Sequence, residues 1–130
     1  MRKTRRFVLS CLAGASGLPL MLHSDLGFGA GDGCEPSAAT LRCLVEDPRR
    51  ARVLGHSYRA QFPDEDHAGV LSGLIRSSLG LGSGGALLNR AGLLAVVDAR
   101  VRAEFGAGDI VRVHGWVLAR TEARLCALCD

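Results

Sequence analysis

Ile110-Val111-Arg112-Val113-His114-Gly115-Trp116-Val117-Leu118-Ala119, continued by Arg120-Thr121-Glu122-Ala123-Arg124-Leu125-Cys126-Ala127-Leu128-Cys129, is the stretch whose reading decides the fold. Its period changes once. Ile110 to Val113 and Trp116 to Ala119 read as two short strands of period two, and His114-Gly115 between them is a two-residue turn. Pairing Val113 with Trp116 puts Val111, Val113, Trp116 and Leu118 on one face and Arg112 on the other. After Ala119 the spacing becomes helical. Thr121 can N-cap a short helix, Glu122 to Cys129, that turns Leu125, Leu128 and Cys129 inward. This is the only strand-like part of the chain, so the fold class is mostly α: a small bundle of about four to five helices with one β-hairpin near its C-terminus.

Upstream of the hairpin everything has helical spacing. Ala86 to Phe105 is the longest helix, nearly all apolar through Val97, and is expected to lie at the centre; Asp98 and Arg102 pair on its wetter end. Gly106-Ala107-Gly108 stops it. Before it, Val70, Leu71, Leu74, Ile75 and Leu79 form the buried stripe of another helix, led by Asp64, Glu65 and Asp66 at its positive end. Asp47-Pro48 opens a helix over Arg49 to Phe62, with Leu54, Tyr58 and Phe62 in one row, Ala51 beside them, and Pro63 as its stop. Ala38 to Val45 reads as a short helix, and residues 31–37 as a tether. Residues 38–130 are then one small domain with a modest core.

The chain of 130 residues carries 16 basic and 13 acidic side chains. Arg2, Lys3, Arg5 and Arg6 stand in residues 1–30 with Asp25, so residues 31–130 hold 12 bases and 12 acids, and all 12 bases are Arg. The domain is neutral. The basic balance belongs to the N-terminus and gives no reason to expect a nucleic-acid partner.

Arg5-Arg6 runs into Phe7 to Leu22, an apolar segment diluted by Ser10, Gly14, Ser16 and Gly17. It is too short and too weakly apolar for a permanent span, which needs about 20 residues, but has the size of a signal-peptide core. Thr4 to Ser10 resembles the twin-arginine (Tat) export motif: Arg5, Arg6 and Leu9 match it, while Val8 replaces its Phe and Ser10 its Lys. Residues 1–30 are accordingly read as a signal peptide, cut near Gly27-Phe28-Gly29 or just after. The resemblance is confined to that segment. It implies recognition by the Tat translocase, membrane contact only through the leader during export, and a periplasmic or secreted product.

Four cysteines remain beyond the leader: Cys34, Cys43, Cys126 and Cys129. In an oxidising compartment they are candidates for disulfides, with three pairings open; the favoured one joins the N-terminal pair to the C-terminal pair. Cys126-x-x-Cys129 stands at the end of a helix, where the dipole opposes a thiolate, so dithiol redox chemistry is not its reading. Eight residues between Cys34 and Cys43 do not make a zinc knuckle. Gly80-x-Gly82-x-x-Gly85 spells a dinucleotide fingerprint, but without a preceding strand or a βαβ unit it is a linker. His56, His67 and His114 fall in no triad or ligand spacing. No catalytic residue, metal or cofactor is assigned.

The candidates for docking a partner are Arg49, Arg52 and Arg59 on one helix, Trp116, and the group Arg120, Glu122 and Arg124 where the hairpin meets the last helix. A solvated helix face, a core anchor and a capped junction explain the same residues. In layout, a twin-arginine leader ahead of a helical domain, the chain is similar to the small subunits of periplasmic flavin dehydrogenases such as gluconate 2-dehydrogenase, though it shares no motif with them. The function this implies is a non-catalytic accessory or maturation subunit of a larger periplasmic redox enzyme. The alternatives are a free-standing exported binding domain and a cysteine metal site.

Overall fold

The computed structural model describes residues 36–81 and 88–130. Arg5, Arg6, Leu9 and Cys34, with most of the tether and of the glycine-rich linker, lie outside them. The elements run α1 (Ala38–Arg42), α2 (Pro48–Gln61), a 3-10 turn (Pro63–Glu65), α3 (Ala68–Ser78), α4 (Arg90–Ala107), β1 (Ile110–Val113), β2 (Trp116–Ala119) and α5 (Arg120–Leu128). This is the small helical bundle with a single hairpin that the periodicity implies.

Local chemistry sets most boundaries. Ser37 caps α1 by accepting from the Thr40 amide, and Asp47 caps α2 by accepting from the Arg50 amide at 3.1 Å, ahead of Pro48. Asn89 caps α4 in the same way through the Gly92 amide at 2.8 Å. At the other end of α4, Gly108 adopts φ 77°, and the Asp109 amide returns to the Glu104 carbonyl at 2.9 Å. Only a residue without a Cβ takes that left-handed position cheaply. The hairpin pairs Val113 with Trp116 and Val111 with Leu118, and His114 and Gly115 turn it at φ 49° and 75°. Two positive φ values in succession mark the tight turn whose twist matches the strands. Asp98 pairs with Arg102 on α4.

Three expectations are corrected. Asp64 and Glu65 form a 3-10 turn of their own, and α3 begins later, at Ala68. On α3 only Leu71, Ser72 and Ile75 are buried, and Val70 is 42 % exposed. Thr121 is not the N-cap of the last helix; Ala119 is, and α5 starts two residues earlier than its side-chain chemistry suggests because Glu122 reaches back to the Ala119 amide at 3.0 Å. That is the acidic half of a capping box.

A further correction concerns the centre. It is α5, not α4. Seven of the nine residues of α5 are buried, Thr121 to Ala123 and Leu125 to Leu128, and α1, α2, α3 and α4 all pack on it. Helix α4 buries only Leu93, Val97, Val101 and Glu104. Its alanines made it look apolar, yet Ala91, Ala95 and Ala99 face solvent. A methyl group costs little to expose, whereas a helix apolar all round has to be enclosed. Helices α2 and α5 approach each other closely at Gly55. A Cβ on Gly55 would stand 2.3 Å from the Cys126 carbonyl oxygen, so only glycine fits.

Candidate functional site

Burying a nine-residue helix leaves unsatisfied amides at one end and carbonyls at the other, together with the poles of its dipole. Charged side chains from the other helices meet α5 at both of those ends. At the amino end, Glu104 of α4 is 2 % exposed; it accepts the Thr121 amide at 2.8 Å, the Thr121 hydroxyl at 2.7 Å and Arg100 at 2.9 Å. Ser78 joins through the Thr121 hydroxyl.

At the carboxyl end, three arginines meet three successive carbonyls. Arg59 donates twice to Ala127, at 3.1 and 2.8 Å; Arg42 donates to Leu128; Arg52 donates to Cys129 at 3.1 Å. Guanidinium groups suit this task because each carries several donors in a fixed fork and stays charged. The acids at the amine pole and the arginines at the carbonyl pole both complement the dipole.

A third group holds the flank of α5. Arg124 clasps Glu65 with two bonds of 2.9 Å, and the Tyr58 hydroxyl donates to the same carboxylate at 2.6 Å. Arg124 holds the Glu65 carboxyl below the usual range, against the opposing effect of burial. Burial, reinforced by the bond to Glu65, pushes the Tyr58 phenol up. Arg120 donates to Asp109 at 3.3 Å and lies 5.0 Å from the centre of the Phe62 ring. That distance allows a cation–π contact.

Most of the docking candidates are therefore committed inside the domain. Arg52 and Arg59 cap α5, Arg120 and Arg124 bind Asp109 and Glu65, and Glu122 is 1 % exposed at the helix start. Trp116 is partly buried against the core and Leu118 wholly so. The exposed Trp116–Leu118 pair that would make a hot spot is not formed. Arg49 is exposed on α2.

Cys43, Cys126 and Cys129 are free thiols, so the staple expected between the two ends of the domain is not formed at these positions. Cys126 is fully buried, and burial, with Cys129 and Glu122 nearby, pushes its thiol up to about 12. Burial also raises Cys129, against the pull of Arg42 and Arg52. Both shifts keep sulfur protonated, the opposite of what a redox or ligating thiolate needs.

Sequence reasoning missed Arg42, Glu65 as an acceptor, Glu104 and Gly55. Arg42 and Leu128 lie 86 positions apart, and no local pattern carries such a link. Glu104 offered one cue: an acid on the face of α4 otherwise buried as Leu93, Val97 and Val101.

On the outer surface, two adjoining shallow depressions of about 240 and 300 Å³ share His56 and Asp130. Arg59 and Asp66 line the first; Arg52, Val53 and His114 line the second. His56 Nδ1 stands 3.5 Å from the Asp130 carboxylate. Among the described residues no three His, Cys, Asp or Glu side chains are grouped to hold a metal ion, and no helix is long and apolar enough to cross a membrane. Comparison with family models, curated proteins and solved structures finds no match to this chain.

Proposed function

We propose that the chain is a small exported, non-catalytic accessory or maturation subunit of a larger periplasmic redox enzyme. The observation that carries this reading is the use made of the charged groups. Glu65, Glu104, Arg42, Arg52, Arg59 and Arg124, six charged side chains of the domain, are tied to one another or to the backbone of α5 and its cap. Groups held this way give a stiff body and an outer surface rather than a reaction centre. The twin-arginine pattern at Arg5-Arg6 adds the destination, and a leader on a small subunit can carry a leaderless partner across the membrane with it. The surface around His56 and Asp130, where α2 and the tip of the hairpin come together, is the face such a partner would meet.

The test is purification of the tagged full-length protein from the periplasmic fraction of its own cell. A partner should co-elute at fixed ratio, and changing Arg5 and Arg6 together to Lys should hold both proteins inside the cell. A lone monomer in the periplasm, unaccompanied under mild extraction, would overturn the reading.

A further inference from the structure

The helices of this bundle share one hydrophobic core, and α5 runs through it as a hub with the others as spokes. Helices α1, α2, α3 and α4 each pack on it, and among the described residues the one other pair of α-helices with more than marginal contact is α1 with α3. The polar links follow the same plan. Residues separated by 86, 77, 68 and 59 positions are joined through Arg42, Arg52, Arg59 and Arg124, and each of those links has one end in α5 or its cap. Without α5, the apolar side chains Leu54, Tyr58, Leu71, Ile75 and Val97, all fully or almost fully buried, would have no common surface to cover. Three of the four spokes are also short, while α4, at 18 residues, meets α5 and the hairpin with one buried stripe of Leu93, Val97, Val101 and Glu104. Helices α1, α2 and α3 span 5, 14 and 11 residues, and isolated helices below about 12–15 residues are marginal in water.

We propose that α5 gates the folding of the domain: α1, α2, α3 and α4 hold no stable structure until residues 120–128 have docked among them. A folded cargo then exists only after that stretch has been made, although the leader is made first. Because the twin-arginine route takes folded proteins, the leader is productive only once α5 is in place; this second part rests on the export reading above. The gate goes beyond the cooperativity that any small domain shows, since it names the segment whose docking is required and predicts that nothing outlasts its release.

Hydrogen exchange on the full chain in rising, sub-denaturing urea tests the gate without reference to export. The amides of α2, α4 and α5 should lose protection through one opening with one urea dependence. Exchange of α5 through a smaller opening, while α2 or α4 stays protected, overturns the proposal. The variant Ala127→Glu, which puts a charge where α5 meets α2, should lose protection throughout; surviving protection in α4 would also overturn the gate. With the natural leader, that variant should stay inside the cell. If it is exported as wild type is, while both exchange results hold, the gate stands and the twin-arginine reading falls.

Discussion

Gly55 shows how much one missing Cβ can decide. In an isolated helix, alanine at that position would be better by about 1 kcal/mol. Here the added carbon would meet the Cys126 carbonyl oxygen at 2.3 Å and the Ala127 Cα at 2.8 Å, both backbone atoms that can yield only if α2 and α5 part. Overpacking of this kind costs about 1–3 kcal/mol, so the packing effect outweighs the propensity. Gly55→Ala should lower the urea midpoint, while Gly73→Ala on α3, whose Cβ would touch nothing, should raise it by the equivalent of about 0.5–1 kcal/mol. Equal shifts in the two variants would remove the close approach as the reason for glycine. The same scale holds the cysteines: a thiol as enclosed as Cys126 is a small apolar side chain first and a reactive group hardly at all.

Helix α5 is too short to be stable alone and too buried to be solvated, so its ends need partners from elsewhere. The arginines on α1 and α2 supply them at the carbonyl end, Glu104 on α4 at the amide end. Arg59 makes two bonds to one carbonyl, with its side chain 22 % exposed. Replacing it by Met keeps the stem and removes the donors. About 1–2 kcal/mol should be lost, the range of a charge at a partly buried helix terminus. The unfolding midpoint reads this directly, and Arg49→Met on the exposed face of the same helix is the comparison that should change little. If both variants behave alike, the capping account of Arg59 fails.

For the molecule as a whole, the buried charges set the pH range over which it is stable. Glu65 has a folded pKa below its usual 4.5; its contribution is present above that value and is lost as pH falls through the lowered one. Cys126 works in the other direction. Its folded value of about 12 lies above the usual 9.0, so its contribution is complete below pH 9.0 and drains away as pH rises toward about 12. Tyr58, raised from 10.0, adds to the same alkaline limb. Urea midpoints measured across pH should therefore fall on both sides of neutrality. Glu65→Gln should flatten the acid limb; an unchanged acid limb in that variant would show that the clasp with Arg124 contributes nothing.

By itself the sequence determined the elements. The Asp47 cap, the Gly108 stop and the two-strand register around His114-Gly115 are legible in neighbouring residues, because caps and turns are satisfied within three or four positions; the caps Ser37 and Asn89 are equally local but stand in a stretch read as tether and in a run read as helix. It did not determine which element stands at the centre. The alanines of α4 and the charged letters of α5, Arg120, Glu122 and Arg124, argued for the wrong one, since a charge reads as surface until its partner is known. Those partners are Asp109, Ala119, and Glu65 on a turn 59 positions away. Only the tertiary structure could bring them together, and with them the arginines that looked like a docking face and close a helix instead. The hairpin and helix from Ile110 to Cys129 thus kept their local reading. Their place at the hub was decided by contacts that no local pattern carries.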